Sequence, residues 1–386
     1  MESSLMPRSS PAEFGDDVLV TVIVPVFNTP PELIERAVAS TLDQTHRYLE
    51  LLVVDDGSNL EMAEFLDLIA GRDPRIRVVH RVNGGVSAAR NTGVDHARGE
   101  FIAYLDADDY LEPAFLSSAI SAARTSRAEV VIGGIRILHE GGTVQWRTGG
   151  PSASEPLLGT RDMIVTACVR ALSDSPSPHS PTPLLSVTNV VASLHKRELA
   201  RRYRFREGVS HAEDRLYNVF MLLDTARVAF CSDVWYVYDQ THDQGVTRRA
   251  TPRTVVALAR TVREFAGVVR AISDRSDLTD DANSLISQAA ADGMLSYLKV
   301  LTGVMAVVGV RQMSHPTLRE LLKEPTVRTA LASARRNSWK DHIFASAAYY
   351  GRIGLLRFLG RAWVRGGGLE MSGMGAAPSE SSRQLL

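Results

Sequence analysis

The side chains in this sequence best suited to chemistry are acidic, and they stand in pairs at the ends of apolar runs. The run FIAYL (101–105) leads straight into Asp106, Ala107, Asp108 and Asp109. Carboxylates this close repel one another. A hard divalent cation would relieve them, since Mg2+-type ions use one or two carboxylates together with substrate phosphates. Two positions apart in an extended segment, Asp106 and Asp108 point the same way. The competing reading is a solvated acidic turn in which Asp109 caps the next helix. Asp55 and Asp56 follow the run LELLVV (49–54) and precede Gly57-Ser58. One carboxylate is enough to open a turn; the second suggests a hydrogen-bond acceptor for a nucleoside, as an acidic residue serves ribose in dinucleotide sites. Glu213 and Asp214 stand before the helical apolar set Leu216, Val219, Phe220 and Leu223. Alone they are an ordinary helix start, where carboxylates favour the dipole. Arg90, in NGGVSAARN (83–91), can pair with a phosphate or close a structural salt bridge. His242 lies in 235–249, which reads as a loop, and a lone histidine is more often structural or solvated than a ligand.

Elements must hold these residues. VLVTVIVPVF (18–27) is a continuous, β-branched apolar run, the pattern of a strand buried on both faces. Residues 30–44 follow at helical spacing, with Leu33, Ile34, Ala37, Val38 and Leu42 apolar behind opening prolines. Strands are then expected over 49–56, 75–81 and 100–107, with helices over 61–71 and 86–97. This alternation implies a mainly parallel sheet, whose ligands bind beyond the carboxyl ends of its strands. Asn28, Asp55-Asp56 and Asp106/Asp108/Asp109 all fall at that rim, and their convergence favours the cation over the solvated turn. Further on, 129–138 reads as a strand, 172–183 as a Pro/Ser-rich surface loop, and the chain from Thr251 as helical. The expected organisation is a disordered tail over 1–17, two halves of one α/β domain over 18–125 and 126–250, a helical module over 251–365, and a disordered tail over 366–386.

The bulk numbers exclude several classes. The chain has 386 residues, 45% of them hydrophobic, so there is room for two or three domains. A net charge of −1 gives no field for nucleic acid. Cys168 and Cys231 make neither a disulfide framework nor a metal-ligand spacing, which suits a reduced cytoplasmic setting. The fingerprint GxGxxG is absent, against a nicotinamide cofactor. The longest uncharged apolar run, 300–310, falls short of the roughly 20 residues that a spanning helix needs. In YYGRIGLLRFLGRAWVRGG (349–367), apolar residues interleave with Arg352, Arg357, Arg361 and Arg365. Such a basic amphipathic helix suits peripheral attachment to an anionic membrane surface, at the inner face of the plasma membrane. It equally suits packing on the rest of the module.

Together, TVIVPVFN (21–28), DQT (43–45), ELLVVDDGS (50–58), NGGVSAARNTG (83–93), GEFIAYLDADD (99–109), NVVASLHKREL (189–199) and HAEDRLYN (211–218) resemble, in order, the family 2 inverting glycosyltransferases of the GT-A fold. The resemblance implies a Rossmann-like α/β sheet flanked by helices, with an α-helical C-terminal module. It implies that Pro25, Phe27 and Asn28 line a nucleotide pocket, that Asp56 or Asp55 holds the base, and that Arg90 belongs to the nucleotide site. Asp108, last of the DxD motif, would bind Mg2+ or Mn2+ on the donor diphosphate, with Asp106 on ribose or metal. His242 falls where some relatives place a further metal or phosphate contact. Asp214, second of the family's ED pair, would be the catalytic base. The implied donor is a UDP-sugar, the acceptor a saccharide or polyol, and the product a surface polysaccharide or cell-wall glycoconjugate. The chemistry agrees: a cation stabilises the departing oxygens, a carboxylate on the opposite face takes the acceptor proton, and one displacement inverts the anomeric centre. Two other classes compete. A catalytically inactive scaffold of the same fold would not need Asp214. A nucleotidyl transferase would want a basic residue in a Gly-rich first loop, which FNTPPE (27–32) lacks.

Overall fold

Strand β1 (Val20–Val26) is buried along its length because it has a strand on either side and helices over its faces. It pairs in parallel with β2 (Leu49–Asp55) on one edge and with β4 (Phe101–Tyr104) on the other, and β2 pairs in parallel with β3 (Ile76–His80). Helices α1 (Pro31–Leu42), α2 (Leu60–Ala70) and α3 (Val86–His96) make the crossovers. The chain winds outward from β1 to β3 and then returns to the far side of β1 as β4. That leaves a topological switch point between β1 and β4, where open α/β sheets take their ligands. A computed structural model of the chain describes residues 18–139, 142–146, 156–172, 189–209, 211–241, 251–307, 314–334 and 339–365. The expected tails over 1–17 and 366–386, and all but Leu172 of the loop expected over 172–183, lie outside the described residues.

Beyond β4 the sheet is mixed. A short antiparallel strand, β9 (Ser193–Lys196), sits between β4 and β6 (Val130–His139), and β10 (Val228–Asp239) runs parallel to β6. The two-residue strand β5 (Tyr110–Leu111) closes that edge antiparallel to β10. Two further strands, β7 (Gly142–Trp146) and β8 (Leu157–Leu158), branch off β6 and β10. Helices α4 (Phe115–Ser126), α5 (Arg161–Leu172), α6 (Arg197–Arg202) and α7 (Glu213–Asp224) complete this half.

One segment corrects the sequence reading. The residues from Trp235 to Asp239 belong to β10 rather than to a loop. Trp235 is buried, stacks on Phe115 and lies flat on Gly133, where an added Cβ would stand 2.1 Å from the indole. The indole needs that glycine.

After Thr251 the described chain is helical: α8 (Pro252–Ser273), α9 (Asp280–Val307), α10 (Ser314–Leu321), α11 (Pro325–Ser333), α12 (Trp339–Tyr349) and α13 (Ile353–Arg365). Thr251 opens α8 with a capping box shared with Thr254. The α8–α9 pair buries Val262, Phe265, Val269, Met294 and Leu298, each worth about 1.5–3 kcal/mol when fully buried. Helix α5 packs on both α7 and α9, which joins this bundle to the sheet domain.

Candidate active site

The carboxyl rim of the sheet is where the acidic pairs meet. Leu105 continues the β1–β4 ladder by donating its N–H to the Ile23 carbonyl at 3.0 Å, and the aspartates follow at once. They are not alike. Asp109 is fully buried, accepting from the Tyr236 hydroxyl and, at 2.9 Å, from the Asp239 N–H. It does not cap a helix, because α4 begins six residues later behind Ala114. Its work is to fasten the turn to β10. Burial, then the charges of Asp108 and Asp106, hold its carboxyl well above the usual range. Asp108 is raised as well, by burial first and by Asp106 second, with Arg36 opposing. Arg36, on α1, clamps the turn by donating to the Asp108 carbonyl and to Asp239, both at 2.5 Å. Asp106 keeps 38% of its side chain exposed.

These oxygens suit a hard cation. A positive ion between Asp106 and Asp108 would reverse the repulsion that raises Asp108. Among the described residues no group of three or more His, Cys, Asp or Glu side chains could hold a metal. Two carboxylates plus ligand oxygens is the Mg2+-type arrangement that remains.

Arg90 joins this rim to the ED pair. It is 3% exposed, on α3, beneath the ends of β4 and α7. Its Nη2 donates to Asp106 Oδ1 at 2.8 Å and its Nη1 to Asp214 Oδ1 at 2.5 Å, with Glu213 Oε1 at 3.6 Å. The Phe205 ring lies 5.3 Å beneath the guanidinium carbon. Burial alone would lower Arg90, but Asp214, Asp106 and Glu213 outweigh it and hold the charge. Of the two roles open to Arg90 from sequence, phosphate partner or salt bridge, the described partners are those of the salt bridge. Helix α7 starts abruptly after Ala212, which stands at φ 61. That left-handed backbone costs a non-glycine residue roughly 1–2 kcal/mol. Asp214 is held on its other oxygen by the Val190 N–H at 3.1 Å. Both carboxyls of the pair are raised. Burial is the first cause in each; Asp214 adds to Glu213, Asp106 adds to Asp214, and Arg90 opposes.

The β1 and β2 ends build the other wall. Asp55 accepts from the Ser58 N–H at 2.9 Å and from His80 Nδ1 at 2.8 Å. Burial raises its carboxyl, but the bonds from Ser58 and His80 prevail and lower it. Asp56 accepts the Gly84 and Gly85 N–H groups at 3.0 and 2.7 Å and also pairs with Arg81. It therefore pins the NGG segment to the β2 turn. Gly57 makes this possible: it stands at φ 75, and a Cβ there would lie 2.7 Å from the Asn83 nitrogen. Asn28, at φ 50, donates its N–H to Ser58 Oγ at 3.0 Å and accepts from the Asn59 N–H at 2.9 Å. Phe27 beside it is 43% exposed, and Pro25 lies opposite Val54 in the ladder. His242 lies outside the described residues. The structure thus brings Asp106, Arg90 and Asp214 into direct contact, with Asp108 beside Asp106. Asn28, Asp55 and Asp56 form a separate, linked set.

Several supporting residues escaped the sequence reading: Arg36, Asn59, His80, Arg81 and Tyr236. Arg81 and His80 at the end of β3 are cations next to a strand terminus, a signal that could have been used. Ser193 and His195 look like a nucleophile and its base, 2.6 Å apart. Both are buried, and burial pushes His195 down to about 3. The imidazole is neutral and stacks on Tyr217, so this pair is structural. A surface cleft of about 650 Å3 lies near the amino ends of the strands, but its Arg161 and Arg275 already pair with Asp277 and Asp224.

Known proteins align on this architecture. The sequence model described as Glycosyl transferase family 2 matches residues 21–167, a stretch that includes both the β2 turn and the aspartate rim. Two curated relatives align over 222 residues, or 57% of this chain: the uncharacterized glycosyltransferase EpsJ of Bacillus subtilis, at 31% identity, and the glycosyltransferase GlyG of Streptococcus pneumoniae, at 28%. The aligned part spans 60% of EpsJ and 70% of GlyG. Among solved structures, S. aureus TarS 1–349 in complex with UDP-GlcNAc superimposes with a TM-score of 0.60, covering 90% of this chain and 92% of that one. At 17% identity this likeness is one of fold, and it extends into the helical C-terminal region.

Proposed function

Because residues 21–167 match the glycosyl transferase family 2 model, we propose that this chain is a metal-dependent inverting glycosyltransferase of that family. It would move a sugar from a nucleotide diphosphate to a hydroxyl of a saccharide or polyol, in the synthesis of a surface polysaccharide or glycoconjugate. The observation that carries this reading is the Arg90 bridge. One buried guanidinium touches Asp106, at the rim suited to a metal and diphosphate, and Asp214, the first-turn carboxylate of α7. A site for inverting transfer needs those two functions facing one space.

The chain's own residues divide the work. Phe27 offers an exposed ring face beside the β1 end, and Asp55 and Asp56 hold the loops that frame a nucleoside. Asp108 and Asp106 would hold Mg2+ or Mn2+, which neutralises a leaving diphosphate. Asp214 accepts the proton of the acceptor hydroxyl as the new bond forms, a role typically worth 10²–10⁴ in rate. Arg90 favours the ionised form of Asp214 and so keeps it able to accept. A single displacement inverts the anomeric carbon.

UDP-sugars are the donors to test first, since the fold relative TarS was crystallised with UDP-GlcNAc. The experiment follows UDP release from a panel of UDP-sugars with Mn2+ and mixed saccharide acceptors. Release with at least one donor, suppressed in Asp214→Asn while UDP still binds, is the expected result. Metal-dependent UDP binding with no turnover of any donor would support the inactive scaffold instead. Full turnover by Asp214→Asn would remove the base from the scheme.

A further inference from the structure

The apolar residues of the last helix do not share one face. Ile353, Leu356 and Gly360 of α13 are buried against the bundle. Gly360 sits so near α9 that a Cβ there would stand 2.8 Å from the Thr302 carbonyl oxygen. This is the packing half of the amphipathic pattern. A second apolar stripe faces outward: Leu355 is 38% exposed, Phe358 67%, and Ala362 continues the row three to four residues on. Tyr350, in the turn that opens the helix, is 72% exposed. At 100° per residue, Arg361 and Arg365 fall on the helix beside this outer stripe, with Arg357 next. Arg352 at its start is exposed. There is no Asp or Glu between Asp341 and Glu370.

An exposed apolar stripe on a segment that carries four arginines and no acid of its own over 350–365 has a specific complement: a layer of anions with apolar material just beneath it. A second copy of this chain would set arginine against arginine, which opposes association. We propose that the outer face of α13 docks this protein on an anionic phospholipid bilayer, with Leu355, Phe358 and Tyr350 entering the headgroup boundary and the arginines on the phosphates. Attachment is peripheral, as no helix among the described residues is long and apolar enough to cross a membrane. Docking through this face is independent of glycosyl transfer.

The test is flotation of the full chain with vesicles of phosphatidylglycerol and phosphatidylcholine, against phosphatidylcholine alone, at low and high salt. The protein should float only with the anionic vesicles and should be released by salt. The double substitution Leu355→Ser/Phe358→Ser should lower partitioning by at least about tenfold. Arg361→Gln and Arg365→Gln should each lower it roughly fivefold, and Phe358→Trp should preserve it. Thermal melts identify any variant that unfolds; if the serine pair does, the arginine substitutions decide. Failure of the wild type to float with anionic vesicles at low salt overturns the proposal, as do variants that float as well as the wild type. Failure to float accompanied by a dimer that Phe358→Ser dissolves overturns it in favour of self-association.

Discussion

Replacing Arg90 with Met keeps the length of the side chain and removes the one cation that the cluster of half-exposed Asp106 with Glu213 and Asp214 contacts among the described residues. Breaking a buried ion pair by deleting one partner typically costs about 3–5 kcal/mol, because the remaining charge is left uncompensated. Here three carboxylates lose the same guanidinium, two of them at hydrogen-bond distance. The upper end of that range is expected, a drop in Tm on the order of ten degrees. The loss must depend on pH. Burial already makes the folded Glu213 and Asp214 carboxyls bind protons more tightly than unfolded ones, which titrate near 4, and loss of Arg90 strengthens that binding further. Stability of the variant therefore falls as pH rises from that range through the raised folded values. Melts of both proteins between acid and neutral pH should diverge as pH rises and draw together as pH falls toward the unfolded carboxylate range near 4. Adding Asp214→Asn to Arg90→Met should recover part of the loss, since one of the stranded charges is gone. Equal melting of Arg90→Met and wild type at neutral pH, or a gap independent of pH, would refute the buried-hub reasoning.

Three further outcomes follow from the site. Burial and Asp106 hold Asp214 above its ordinary value, and a base must be deprotonated. The acid limb of kcat/KM should accordingly lie above the usual carboxylate range near 4; a limb at or below that range contradicts Asp214 as base. Tyr236→Phe removes the hydroxyl that buried Asp109 accepts from, and should cost about 1–3 kcal/mol in denaturant unfolding, with little change expected if Asp109 is solvated. Gly57→Ala forces a side chain into φ 75, with its Cβ 2.7 Å from the Asn83 nitrogen. It should cost at least about 1 kcal/mol and weaken nucleotide binding by loosening the NGG segment; unchanged affinity would detach that segment from the site.

The first four strands and their crossovers were legible because they are long apolar runs separated by helical spacing, and the acidic pairs mark their carboxyl ends. The mixed half was harder. Strand β9 reads SLHK, four residues with three polar side chains, and carries no periodic signal. Strand β10 changes register between Phe230 and Tyr236, which breaks the alternation and let its second half pass for a loop. Arg90 shows the limit for the site. Its choice between phosphate and salt bridge was open in sequence because Asp214, 124 residues away, is brought to it only by tertiary packing. Asp109 went the same way: nothing in DADDY distinguishes a capping carboxylate from one anchored by a tyrosine 127 residues on.

Asp106 and Asp108 are proposed to grip a cation that in turn grips a diphosphate. Calorimetric titration of UDP into the wild type and Asp108→Asn, with Mn2+ and then with EDTA, tests it most directly. UDP binding should require the metal in the wild type and be lost in the variant under both conditions. UDP binding of equal strength in EDTA, or in Asp108→Asn with Mn2+, would contradict it.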